Sequence, residues 1–206
     1  MFRRVLFTVA VVLAGSSALG QIGNPAGMGV DTRMARPGVP APHQTNNQDR
    51  LFAQLATAGG LAEVELGNLA GGKAKADAVK QFADMMVSDH SDANRKLKEL
   101  ADAAKIPLSD QLDPEHALLR ERLRTLEADA FDAAYIKAQI VDHQKTAQLL
   151  AWEISMGEDG DLQRLASSLL PVVLDHLRRA QEIHGLLTGA SVRLPPETLA
   201  EMEHRQ

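Results

Sequence analysis

Cysteine is absent from the sequence, so disulfide bonds, thiolate nucleophiles and cysteine-ligated metal sites are excluded. Aromatic residues are scarce at 3%, whereas alanine and leucine are abundant; this favours helices, because strands prefer β-branched and aromatic side chains. Positive charge is not in excess either: the formal net charge is −5, and we therefore expect no nucleic-acid partner. Apolar residues nevertheless reach 45%, which is enough for one buried core in a chain of 206 residues.

Motifs of common enzyme classes are missing as well. The sequence has no glycine-rich phosphate loop, no G-x-S-x-G elbow and no H-E-x-x-H pair. No nucleophile stands beside a base, so we predict no catalytic residues, and an enzyme is the least favoured function.

The N-terminal segment has the features of an export signal. Two arginines within residues 1–4 precede an apolar run over residues 5–15, which is too short for a membrane span. Small residues at Ala18 and Gly20 then provide a cleavage site before Gln21. We therefore predict a Sec-type signal peptide over residues 1–20, a periplasmic mature protein, and no transmembrane span after cleavage.

Composition divides the remaining chain into three parts. Residues 21–48 are rich in glycine, proline and asparagine and have no hydrophobic period, which predicts a flexible tether. Residues 49–188 carry helical periodicity and are predicted to form the folded domain. Residues 189–206 contain two adjacent prolines and are predicted to be a C-terminal tail.

Apolar residues that recur every three or four positions predict four long helices, over residues 49–70, 74–105, 129–157 and 160–187. A short helix, capped by Asp113 and begun by Pro114, precedes the third of them. For the first long helix, the predicted buried stripe consists of Leu51, Leu55, Ala58, Ala62, Glu65 and Leu69. A second stripe on it is made of small residues, which indicates close approach of another helix: Ala56, Gly60 and Gly67.

Tight turns join the first long helix to the second and the third to the fourth, so each pair is predicted to form an antiparallel hairpin. The segment between the pairs, residues 106–128, is long enough to cross the bundle as in ferritin-like folds, or to turn back. The sequence leaves both connections open.

Three long helices carry a histidine near their middle on the predicted core face: His90, His143 and His176. An aspartate precedes each of them: Asp89, Asp142 and Asp175. Apolar residues flank the three pairs at matching positions, which indicates a weak internal repeat. This repeat is the strongest chemical feature of the chain.

Helix register predicts that at least two of these histidines meet. Reflection of His143 through the turn near residues 158–159 falls two residues from His176, or ~3 Å along the helix axis. Reflection of His90 through the turn between the first two long helices falls near Leu55, ~15 Å from Glu65. The aspartates are therefore the better candidates to orient the imidazoles. His116, by contrast, is expected to be exposed.

Two interpretations of the histidines follow. Converging imidazoles can bind a transition metal, either Zn, Cu or Fe, with carboxylates orienting them; this predicts a metal-binding or stress-related module. Alternatively, buried Asp–His hydrogen bonds only fix the packing. The chain would then be a scaffold of the cell envelope, with a protein partner or a second copy contacting the stripe of small residues.

Four segments resemble the bacterial family catalogued as domain of unknown function 4142: LAEVELGNLA (61–70), VKQFADMMVSDHSDANRKL (79–97), FDAAYIKAQIVDHQKTAQLL (131–150) and LASSLLPVVLDHLRRAQ (165–181). The resemblance covers about residues 49–187. It implies an exported protein with no established activity and leaves an association with the outer membrane open. It also implies an all-α fold, a ferritin-like four-helix bundle with an extra short helix between the second and third long helices.

The acidic and histidine positions of that family match Glu63, Glu65, Asp89, His90, Asp142, His143 and His176. Di-iron proteins of ferritin-like architecture instead place a Glu-x-x-His pair on each of two helices. Here Val87 and Val173 stand three residues before His90 and His176, so the resemblance extends to architecture rather than to oxygen-activating iron chemistry.

Overall fold

The computed structural model describes residues 45–189, which form five α-helices and no strand. In chain order these are α1 (Asn47–Lys73), α2 (Asp77–Ala103), α3 (Pro114–Arg124), α4 (Ala128–Met156) and α5 (Gly160–Thr188). The all-α prediction is therefore confirmed. The predicted signal peptide, most of the tether and all but the first residue of the tail lie outside the described residues.

Side-chain caps explain where the helices begin. Asn46 caps α1 in a reciprocal capping box with Asp49, so the domain begins a few residues before the predicted boundary at residue 49. Asp159 caps α5 by accepting hydrogen bonds from the first backbone amides of that helix. The start of α2 has no cap of its own; the Asp132 carboxylate of α4 accepts hydrogen bonds from the amides of Lys75 and Ala76 instead.

Two antiparallel hairpins, α1–α2 and α4–α5, make up the bundle, as their short connections predict. α1 also packs against α4, and α2 against α5. Asp132, near the start of α4, lies beside the end of α1, and Asp49, near the start of α1, accepts a hydrogen bond from the Glu158 amide after α4. α1 and α4 are therefore antiparallel, and the bundle has an Asp49 end and an Asp132 end.

The connection from α2 to α4 crosses the length of the bundle, which settles the alternative that the sequence left open. At the Asp49 end, the carbonyls of Lys105 and Pro107 accept hydrogen bonds from α1 side chains. Farther along, Arg120 of α3 binds Glu65 at 2.6 Å, and Glu127 binds Lys73 at the Asp132 end at 2.5 Å. Residues 104–127 thus lie as a strap over α1 and α4, and α4 starts at the same end of the bundle as α2.

The core consists of two apolar clusters, one at each end. The cluster at the Asp132 end contains Leu66, Val79, Phe82, Met86, Leu123, Phe131, Tyr135 and Ile136, with smaller alanines between them. The cluster at the Asp49 end contains Phe52, Leu97, Ile106, Leu150, Leu162, Leu165 and Val173. Between the two clusters lies a layer of buried polar side chains.

The buried face of α1 differs from the predicted stripe. Leu55, predicted to be buried, is 48% exposed, whereas Phe52, Leu66 and the carboxyl group of Glu63 are buried. Glu65 lies on the surface and is paired with Arg120. Ala62 of the predicted stripe is buried, but Leu55 and Glu65 were placed wrongly. The reason is that α1 is rich in alanine and glycine, so apolar residues occur on every face of it and do not mark a unique one.

The stripe of small residues on α1 packs inside the same chain. A Cβ atom on Gly60 would lie 1.9 Å from Asn94 Oδ1, and one on Gly67 would lie 2.8 Å from Val87 Cγ2, both on α2. The close helix approach is confirmed, and the hypothesis that this face contacts a partner protein is wrong. No helix within residues 45–189 has the combination of length and apolarity that a membrane span requires.

Two glycines of α1 provide a matched test of this packing. Gly67→Ala should lower the free energy of unfolding by about 1–3 kcal/mol, because the stiff Val87 side chain and the Ala83 carbonyl leave no room for a methyl group. Gly59→Ala should raise it by about 0.5–1 kcal/mol, because no atom lies within 4 Å of the added Cβ and alanine favours the helix. Urea denaturation followed by circular dichroism measures both; equal effects would contradict the close contact.

Candidate metal centre

Three histidines meet in the polar layer between the two apolar clusters: His90 of α2, His143 of α4 and His176 of α5. Their exposed fractions are 9%, 1% and 2%, so all three are removed from solvent. The predicted meeting of His143 and His176 is observed, and the third histidine joins them. We call these residues the histidine cluster.

The geometry of the cluster is compact. Its ring centroids are 5.4–5.6 Å apart, and one nitrogen from each ring can be chosen so that the three atoms lie within 4.8 Å of one another. The closest pair is His143 Nε2 and His176 Nδ1, at 3.3 Å. Such a cluster on three separate helices requires the tertiary fold to bring the rings to one level.

Hydrogen bonds fix which nitrogen of His143 and His176 carries the proton. His143 Nδ1 donates to the Gln139 carbonyl at 2.9 Å, and His176 Nε2 donates to Asp89 Oδ2 at 3.0 Å, because these oxygens can only accept. In the neutral rings, His143 Nε2 and His176 Nδ1 are then both unprotonated, and their lone pairs face each other. Nothing in this arrangement supplies a hydrogen for the 3.3 Å contact.

His90 contributes a further unsatisfied nitrogen. Its Nε2 is buried without a hydrogen-bond partner among the described residues. A buried polar atom of this kind costs about 1–3 kcal/mol unless something binds it. The cluster therefore contains three nitrogen atoms that the protein itself leaves available.

The surroundings keep the imidazoles neutral. Burial lowers the pKa of His90 to about 3, and the neighbouring His143 and His176 act in the same direction. Burial, together with His176, lowers the pKa of His143 to about 4. Burial also lowers the pKa of His176, against the opposing effect of Asp89. A proton shared between two rings is thus disfavoured near pH 7, and the rings are ready to act as ligands.

The aspartates that precede the histidines have different roles. Only Asp89 binds a cluster ring, and the ring belongs to His176 on another helix. Asp142 faces His116 and Lys145, each at 3.7 Å. Asp175 pairs with Arg178 and Arg179, at 2.6 and 2.7 Å.

The two glutamates proposed to orient the rings are also separated. Glu63 is buried, and its Oε1 lies 3.6 Å from His143 Nδ1, on the side of that ring away from His176. Burial raises the pKa of Glu63 to about 8, against the effect of the Gln139 amide, so the carboxyl is largely protonated at pH 7. Glu65 points away to Arg120 and takes no part in the cluster.

His116 lies near this site, in contact with Asp142, which the sequence did not predict. Its side chain is 14% exposed rather than on the surface, because α3 holds it against α4. Asp142, and then Asp113, raise the pKa of His116 to about 9, which makes it a cation beside Glu63. Only its position two residues after Pro114, within the first turn of a capped helix, could have indicated contact with Asp113.

The sequence model of the family described as "Domain of unknown function (DUF4142)" matches residues 34–183. No curated protein matches significantly.

Among solved structures, a DUF305 fragment from Deinococcus radiodurans is similar, with a TM-score of 0.62 and 16% identity over 70% of this chain and 99% of that one. CopM in its Cu(II)-bound form is also similar, with a TM-score of 0.58 and 15% identity over 66% of this chain and 95% of that one. At these identities the likeness concerns the fold alone.

The proton positions in the cluster can be measured directly. In metal-free protein near pH 7, ¹⁵N chemical shifts should place the proton of His143 on Nδ1 and that of His176 on Nε2, because the Gln139 carbonyl and Asp89 accept them. His184, which lies outside the cluster, serves as an internal reference. A proton on His143 Nε2 or on His176 Nδ1 would contradict the facing lone pairs.

Proposed function

The chain belongs to the family described as domain of unknown function DUF4142, and we propose that it is an exported helical-bundle protein that binds one transition-metal ion. The ligands are His90, His143 and His176. In this proposal the protein binds the metal without catalysing a reaction. Such binding would suit a stress-related role in the cell envelope.

The observation that carries the proposal is the 3.3 Å distance between His143 Nε2 and His176 Nδ1, in two rings whose outer nitrogens already donate to other acceptors. Two nitrogens that bind one tetrahedral ion at about 2.0–2.1 Å are about 3.3 Å apart, so the spacing is that of a shared ion. Asp89 and the Gln139 carbonyl hold the outer N–H groups, as oriented histidine ligands require. A network that only fixed packing would instead place a hydrogen between the rings.

The donor atoms limit which metal ions suit this site. Three imidazole nitrogens without a thiolate suit Zn²⁺, Cu²⁺ or Fe²⁺. A given nitrogen site binds Cu²⁺ most tightly of these ions, and CopM, whose fold is similar, was solved in a Cu(II)-bound form. We therefore place copper first, with zinc and iron as alternatives.

The proposal includes a ferritin-like architecture. Two antiparallel hairpins joined by a long crossover, with α1 beside α4 and α2 beside α5, support it. A di-iron centre is not part of the proposal. Among residues 45–189, Glu63 is the carboxyl group buried with the cluster, and it faces the outer nitrogen of His143.

Export is proposed from the sequence of residues 1–20, which precedes the described residues. The cationic start, the apolar run and the small residues before Gln21 support it. An association of the mature protein with the outer membrane is compatible with the tether-like composition of residues 21–48, although nothing in the folded domain requires it.

Metal content is the direct test of binding. Protein purified without an affinity tag should contain about one metal ion per chain by elemental mass spectrometry. His90→Ala/His143→Ala should contain none, because too few ligands remain. His184→Ala is the matched control and should keep the metal, since His184 lies outside the cluster. Wild-type protein that stays metal-free after incubation with Cu²⁺, Zn²⁺ and Fe²⁺ would refute the proposal.

Export is tested separately by the intact mass of protein from the periplasmic fraction. The mass should correspond to a chain that begins at Gln21, because cleavage follows Gly20. Replacement of Arg3 and Arg4 by glutamate should retain the full-length chain in the cytoplasm, since the cationic start would be lost. A full-length chain in the periplasm would contradict the predicted cleavage.

A further inference from the structure

A cavity of about 50 Å³ adjoins the histidine cluster on the side of the Asp49 end. His90 and His176 form part of its wall, and His143 does not. Asp89 and Asn94 also border it, and the remaining wall is largely apolar, formed by residues of the cluster at the Asp49 end.

Small side chains create this space. Gly59 and Gly60 of α1 and Ala93 of α2 line it where larger residues would fill it. Gly60 lets α1 approach Asn94 so closely that even a methyl group would collide with that side chain. The cavity is therefore bordered on the α1 and α2 side by small residues, with open space beside Gly59.

Among the described residues, the cluster offers three ligands and no fourth. Within the described part of the chain, His90, His143 and His176 are the residues whose ligand atoms converge. Glu63 lies behind the His143 ring, and Asp89 already accepts from His176 Nε2. An ion held by three protein ligands completes its coordination with water or with an exogenous molecule, whereas closed structural sites have four protein ligands.

We propose that the bound ion keeps an open coordination position facing this cavity and takes a small exogenous ligand there. This inference rests on the proposed metal function. The ligand replaces a metal-bound water. A single water needs about 10–15 Å³ of such volume, so the cavity of about 50 Å³ has room for about three to five water-sized groups. A linear triatomic anion such as azide, which can replace the water on a Cu²⁺ ion, fits this size.

Azide is the probe, and Cu²⁺ is the metal. Copper content is measured first. Azide is then titrated into the copper-loaded mature protein, and charge-transfer absorption and electron paramagnetic resonance are recorded. Wild-type protein should bind one azide saturably. Ala93→Leu should keep its copper but bind azide at least tenfold more weakly, because the larger side chain fills the cavity. Ala78→Leu, an exposed alanine on the same helix, is the matched control and should behave as wild type.

The outcomes separate this inference from the metal function. Copper at one ion per chain with no spectral response to azide would overturn the open position and leave the metal function intact. Equal azide affinities in wild type and Ala93→Leu would overturn the role of the cavity. Failure of wild-type protein to bind Cu²⁺, and likewise Zn²⁺ and Fe²⁺, would overturn both proposals, and it is recognised before azide is added. If Ala93→Leu does not fold, Ala56→Val reduces the same cavity from α1, with the same expected loss.

Discussion

The burial of three neutral imidazoles between two apolar clusters is the constraint on which the rest of this structure depends. A buried polar group without a partner costs a few kcal/mol, and a buried charge costs more. The protein satisfies the outer nitrogens of His143 and His176 with the Gln139 carbonyl and with Asp89. It leaves His143 Nε2 and His176 Nδ1 without a hydrogen between them. The free-energy cost of these two unpaired nitrogens favours any ligand that binds both of them.

The topology makes this arrangement attainable. Within the α4–α5 hairpin, the short turn sets His143 and His176 at one level. The crossover then places α4 diagonally opposite α2, with α5 packed against both. His90 of α2 therefore meets the rings of His143 and His176 from a third helix. The strap formed by residues 104–127 also brings His116 against Asp142. The cationic His116 is thereby positioned beside Glu63.

Buried carboxyl groups are a second consequence of the polar interior. Glu63 lies beside the cluster, and Glu153 lies at the Asp49 end near Asp49 and Asp159. Burial raises the pKa of Glu153 to about 9, with Asp49 and Asp159 adding to the effect. Both groups are thus largely protonated near pH 7, which limits the charge buried in the core.

The sequence by itself determined the all-α fold, the helix positions, both hairpins and the three core histidines. These features depend on local chemistry: helical period, caps and short turns act over a few residues and can be read along the chain. Glu63 and Glu65 could not be distinguished in this way, because the apolar residues of α1 do not mark one face. Only the tertiary structure decided the crossover, the choice of Asp89 over Asp142 and Asp175, and the proton positions that leave two lone pairs facing each other. These depend on which helices pack together, and packing of the whole bundle sets distances between residues that are far apart in the chain.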